Sequence, residues 1–287
     1  MGKESRKKIV EIGSSILGGI VSSSFDEIVI PGSTLLGAVI GPVVTEVTED
    51  IALRMLSHAE NDRLQFVSKQ LIAKIQRRLD AGECPRRDDD FYVRDEYGQS
   101  SASKLLEEVL LKAKQEFEAK KLEFYSNFWS NVCFENGITY ETANSLIGQF
   151  SALSYQQIKI LVYLDNGYTI PLGKWEKYMF SSSTLAPYYT LYSDCLHLFN
   201  YRLAAQHSSK SEEIQLGTPD VCISPSGKLM CRLLELGFRQ EEYEDSVSLI
   251  HNIDEIVDRL MMESNDDGSD RVLSHIPAED IDQLFKK

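Results

Sequence analysis

Four short stretches carry side chains of the kinds that attack, ligate or bind phosphate. Cys195 and His197 stand two apart in "SDCLHLF". Such a pair could hold a metal, or act as thiolate and base. On a helix, residues two apart face different ways, so the spacing predicts a buried cysteine and a half-exposed histidine. "SPSGK" over Ser224–Lys228 has the closing residues of a phosphate-binding loop. That loop needs Ser or Thr next, to hold magnesium, and a glycine earlier. Leu229 and Cys222 occupy those places. The stretch reads instead as a helix start, with Ser224 as cap and Pro225 in the first turn.

"NDDGSD" at Asn265–Asp270 matches part of a calcium loop. With Gly268 as its sixth position, Ser274 falls twelfth, where a bidentate carboxylate is required. Asp88, Asp89 and Asp90 could gather a magnesium ion, but Arg86, Arg87 and Arg94 oppose it. GxSxG, HExxH and GxGxxG are absent from the sequence. The expectation is a non-enzymatic protein with no catalytic residue, no metal site and no cofactor.

The chain has 287 residues, 43% of them hydrophobic, enough for a sizeable core. Its formal net charge of -14 argues against nucleic acid, which needs a cationic footprint. Five cysteines without a CxxC pair fit a reducing cytosol better than a disulfide framework. Glu11 interrupts the apolar run that a signal peptide would need.

The elements that must position these residues are mostly helical. Residues 9–56 are glycine-rich and include "IPGSTLLGAVIGPVV", Ile30–Val44, which has no charge. Small residues recur every fourth position at Ser14, Gly18 and Ser22, at Ser15, Gly19 and Ser23, and at Ser33, Gly37 and Gly41. This spacing puts each set on one helix face, where another helix can approach. A helical hairpin is expected, turning near Asp26–Gly32, with Pro31 at a helix start and Pro42 as a kink or stop. Residues 28–45 as a helix would span about 27 Å, just short of a hydrocarbon core of about 30 Å. Ser14, Gly18, Gly19, Ser33, Gly37 and Gly41 are therefore candidates for a membrane or helix-packing face. Lys3, Arg6, Lys7 and Lys8 are candidates for contact with anionic lipid. Both a buried packing element and a bilayer surface satisfy the pattern.

Ser57–Glu60 and Ser154–Gln157 have the form of capping boxes, each predicting a helix after it. A stripe of Leu64, Val67, Leu71, Ile75 and Leu79 follows the first. "RRDDDFYVRDEYGQSS" reads as a polar loop. One long helix is expected from about Ala102 to Phe134, with Leu105, Val109, Ala113 and Phe117 on one face. Thr139 should cap the next helix, whose core side is Ala143, Leu146, Ile147 and Phe150. "SDCLHLFNYRLAA" reads as a helix. "IQLGTPDVCISPSGKLMCRLLELG" reads as two short strands and a helix. Helix, helix, two strands, helix is the order of a winged-helix unit. From Arg239 onward the chain is an acidic tail with one or two helices.

The middle of the chain, "KLEFYSNFWSNVCFENGITYETANSLIGQFSALSYQQIKILVYL", together with "ISPSGKLMCRLLELG", resembles the abortive-infection alpha group of bacterial defence proteins. The likeness covers about residues 121–237. Asn127 or Asn131 stands where that group has an asparagine, and Ser224 where it usually has threonine. The resemblance implies no active-site residue. It implies a sensor joined to a membrane-disrupting element, acting at the bacterial inner membrane.

The sequence thus predicts a mainly α protein in four parts. Residues 1–56 form the glycine-rich hairpin, 57–151 a helical middle domain, 152–238 a winged-helix-like domain with a small β-ribbon, and 239–287 the acidic tail. The expected function is abortive-infection-like defence, with the hairpin contacting or permeabilising the inner membrane. The alternative is a soluble regulatory or scaffold module that homo-oligomerises through the small-residue faces. Its partners would be the inner membrane, another protein or a second copy, and its place the cytoplasm, with or without attachment to the membrane.

Overall fold

The computed structural model describes residues 34–52, 54, 56–179, 189–206, 220–236 and 240–266. The described chain is mainly helical, with one two-stranded antiparallel ribbon. It divides into two compact units. The first comprises residues up to Ala152 together with Leu233–Glu235, and the second Leu153–Arg232 and the residues after Glu235.

The first unit opens with α1, Thr34–Ala52, which runs through Pro42. Of the kink or stop expected at Pro42, the stop is not observed. That residue lies on the exposed side of α1, where water can take up the carbonyl its missing N–H leaves free. Helix α2, His58–Asp80, begins at the Ser57 box: the Glu60 N–H donates to Ser57 Oγ, and the Ser57 N–H donates to Glu60 Oε2. Leu64, Val67, Leu71, Ile75 and Leu79 are all buried. Helix α3, Ser101–Gln115, is capped by Ser100 and buries Leu105, Leu106, Val109 and Leu110. Helix α4, Leu122–Val132, is buried on nearly every side through Phe124, Tyr125, Phe128 and Trp129. Helix α5, Tyr140–Ala152, is capped by Thr139, whose Oγ1 accepts the Thr142 N–H. Its Phe150 ring meets Tyr125 edge-on at 4.9 Å.

The single helix expected over 102–134 is two helices. The chain leaves helical geometry at Glu116 and makes one 3-10 turn at Ala119–Lys121. The break turns Glu116 inward onto Lys121, with Nζ to Oε2 at 2.6 Å. It also turns Phe117 outward, 90% exposed, with the Arg63 guanidinium 5.7 Å from its ring. Phe117 had been expected on the apolar face. Helical periodicity alone could not show that a buried ion pair competes with it.

The second unit holds α6, Tyr155–Asp165; α7, Leu172–Met179; and α8, Tyr189–Asn200. Next come β1, Ala204–Gln206, and β2, Val221–Ile223, then α9, Pro225–Leu234, and α10, Gln240–Asp266. The last two residues of α9 fall in the first unit. Helix α6 starts at the Ser154–Gln157 box, as expected. Helix α8 stops short of "YRLAA", which had been read as helical. Arg202 takes a left-handed φ of 60°, and Ala204–Gln206 turn into a strand. β1 pairs with β2 in the register Ala204↔Ile223 and Gln206↔Val221. Val221 also exchanges both backbone hydrogen bonds with Ile170, at 2.9 and 3.0 Å. The strand expected near Ile214 lies outside the described residues. Helix α10 packs on α6 and α7, where Trp175 Nε1 donates to Asp254 Oδ1 at 2.8 Å and Lys174 pairs with Asp258.

Candidate functional site

Of the predicted face, Gly37 and Gly41 lie in α1. Ser14, Gly18, Gly19 and Ser33, and with them Lys3, Arg6, Lys7 and Lys8, lie outside the described residues. One face of α1 is core. Ile40, Val44, Val47 and Ile51 recur at helical spacing and are all but fully buried, and Gly41 is buried beside them. Their helix packs on α3. At about 1.5–3 kcal/mol for each buried aliphatic side chain, the stripe is a substantial anchor. The outer side of α1 exposes Val39 and Pro42 and carries ion pairs: Glu46 pairs with Arg94, and Asp50 with Arg54, which also reaches Glu107 on α3. Among the described residues no helix is long and apolar enough to cross a membrane.

The acidic loop that follows α2 is organised around a buried cation. The Arg86 side chain is fully buried, pairs with Asp88 and Asp89 at 2.8 Å and lies 4.6 Å from the Phe91 ring. Hydrogen bonds from Arg86 hold the Asp88 carboxyl below its ordinary range, whereas burial pushes that of Asp89 up. Asp89 and Asp90 both take left-handed φ values, 49° and 52°, which aspartate tolerates better than most residues. The carboxylates of Asp88 and Asp89 thus serve as partners of Arg86. A cavity of about 140 Å³ opens beside this loop, lined by Val39, Pro85, Phe91 and Val93 among others.

A polar clasp closes on the last residues of α9, within the first unit. Asn127 Nδ2 donates to the Leu234 carbonyl at 2.8 Å, and Asn131 Nδ2 to the Leu233 carbonyl and Glu235 Oε1, both at 3.0 Å. Lys74 Nζ reaches Glu235 Oε2 at 2.9 Å. The side chains thereby satisfy carbonyls that a helix end leaves open. Glu235 itself has a φ of 57°, a conformation its side-chain partners help to hold. Burial pushes the Glu235 carboxyl up, but hydrogen bonds from Lys74 and Asn131 outweigh it, and the group ends below the ordinary glutamate range. Its stabilising effect is therefore complete above that range and lost as pH falls through the depressed value. Acid titration of stability should show this limb below about pH 4.3, and Lys74→Met should shrink it. An unchanged acid limb in that variant would refute the assignment.

The second unit has its own polar cluster. Gln157 Oε1 accepts the Ser154 N–H at 3.0 Å, and Nε2 lies 2.8 Å from Asp194 Oδ1 and 2.9 Å from His197 Nδ1. The capping-box spacing announced the first of these contacts and gave no sign of the other two. Cys195 is buried and His197 half-buried, as their spacing predicted. Burial pushes the Cys195 thiol far up, and those of Cys133 and Cys231 as well, so none is a ready nucleophile. Among the described residues no three His, Cys, Asp or Glu side chains could jointly hold a metal ion.

The "SPSGK" stretch is packing. Ser224 Oγ accepts the Gly227 N–H at 2.9 Å and donates to the Arg202 carbonyl at 2.6 Å. The Ser224 N–H donates to the Leu203 carbonyl at 3.1 Å. One serine thereby caps α9 and fixes the start of the ribbon.

No protein-family model, no curated protein and no solved structure matches the chain.

Proposed function

We propose that the protein is a non-enzymatic regulatory module of the abortive-infection-like, bacterial defence kind, working by protein contact through self-association. The burial of Ile40, Val44, Val47 and Ile51 carries this reading. It commits one face of α1 to the protein's own core. The small-residue spacing read from the sequence before Thr34 is the candidate for contact with a second copy, since four-residue spacing of small side chains suits close helix contact. Among the described residues, 152–238 hold three helices, a ribbon and a helix, an order that supports the winged-helix-like reading. Residues 152–238 carry equal numbers of acidic and basic side chains, which suits a protein-contact face better than a DNA-binding one.

Light scattering on the full chain tests the proposal. The expected result is an oligomer that falls to a single chain when Gly18 and Gly19 are both replaced by leucine. A wild type that stays monomeric at high concentration overturns it. A second reading, contact with an anionic inner-membrane surface, draws on the basic residues Lys3, Arg6, Lys7 and Lys8 ahead of the apolar runs. Its signature is sedimentation with phosphatidylglycerol vesicles that is lost when all four become glutamine.

A further inference from the structure

We infer that Gln157 is a proton-gated strut between α6 and α8. The orientation of its amide is fixed, because the Ser154 N–H must meet an acceptor, and Oε1 stands 3.0 Å away. Nε2 therefore faces α8 with two hydrogens. Asp194 Oδ1 at 2.8 Å takes one, and His197 Nδ1 at 2.9 Å takes the other. The imidazole must then be neutral, with its proton on Nε2. Its plane is held by stacking on Tyr201, with ring centroids 4.5 Å apart.

A proton added to Nδ1 sets one donor against another across 2.9 Å. Asp194 and His197 are three residues apart and so share a face of α8. The imidazolium can turn to the Asp194 carboxylate, and Gln157 then loses its His197 acceptor on α8. A tie between two helices is exchanged for an ion pair within one. Burial pushes the Asp194 carboxyl up, the Gln157 hydrogen bond pulls it down, and a proton on His197 pulls it down as well. Several charged groups on the surrounding elements have partners of their own. Lys174 of α7 pairs with Asp258 of α10, and Asp254 accepts from Trp175. Asp165, at the far end of α6, faces Lys228 and Cys231. The ribbon contributes only Cys222 as an ionisable group, and its thiol donates to the Ala205 carbonyl.

Two-bond ¹H–¹⁵N correlation spectra of the full chain at about pH 8 should show His197 as the Nε2–H tautomer. Amide protection factors at the start of α6 should fall roughly three- to tenfold between about pH 8 and about pH 5.5. In His197→Asn, whose amide oxygen accepts without titrating, the profile should be flat. In Asp194→Asn the fall should persist. An Nδ1–H tautomer overturns the inference, as does a fall that survives in His197→Asn. The tautomer measurement decides alone should that variant fail to fold.

Discussion

Replacing Gly227 with alanine should destabilise the protein by about 2–4 kcal/mol, a large loss for one methyl group. A Cβ built at this position lies 2.1 Å from the Leu203 carbonyl oxygen and 2.8 Å from Ile223 Cδ1. The isoleucine tip can swing aside. The carbonyl cannot, because it accepts the Ser224 N–H and belongs to the turn that starts β1. Relief of the clash would have to move α9 off the ribbon and pull apart the Ser224 contacts to Gly227 and Arg202. The usual helical advantage of alanine over glycine, about 1 kcal/mol, is too small to offset that. Gly148 in α5 supplies the control, since a Cβ there meets nothing within 4 Å. Gly148→Ala should raise stability by about 0.5–1 kcal/mol. Urea denaturation of both variants reads the two signs directly. Equal effects would mean that Gly227 is kept for its flexibility and not for space.

The same stretch shows what the sequence discloses and what it withholds. Ser224 and Pro225 announced a helix start, and the start is there. That Gly227 is a contact point for a backbone carbonyl could not be read, because Leu203 is brought to it by the ribbon. The capping boxes at Ser57 and Ser154 were legible because their partners sit three residues away. The apolar stripe of α2 was legible because periodicity is a local property. The Asn127 and Asn131 clasp joins residues more than a hundred positions apart, and no spacing rule reaches that far. Cys195 and His197 were visible as a pair on one helix, but the Gln157 side chain that reaches Asp194 and His197 comes from another. The errors have the same origin. The helices misjudged at Phe117 and at Leu203–Ala205 had good local patterns, overridden by a buried ion pair and by strand pairing.

That ion pair leads to the other large effect. Lys121→Met should cost about 3–5 kcal/mol, because it strands a carboxylate whose surroundings cannot replace the cation. Glu116 and Lys121 are 9% and 2% exposed. Around them the structure supplies a hydrogen bond from Tyr125 OH to Glu116 Oε2 at 3.0 Å, another from the Glu118 N–H to Oε1, and the Phe150 ring 5.3 Å from Lys121 Nζ. These orient the pair without neutralising either member. An unpaired carboxylate in such a site is driven to take up a proton on folding. The variant should therefore regain stability as pH falls from about 7 to about 5, since its folded form then binds more protons than its unfolded form. The double variant Glu116→Leu with Lys121→Met separates two roles for the pair. Removing both charges leaves apolar side chains of similar bulk and should restore most of the loss if the pair serves only to satisfy itself. If the pair is also what breaks the helix and turns Phe117 outward, the double variant should be stable yet altered in shape. Helix content would rise as residues 102–132 straighten, and Phe117 would become protected from solvent. Circular dichroism and hydrogen exchange at Glu116–Lys121 distinguish these outcomes. Unchanged exchange there, together with full stability, would mean that the surrounding packing and not the charges sets the break.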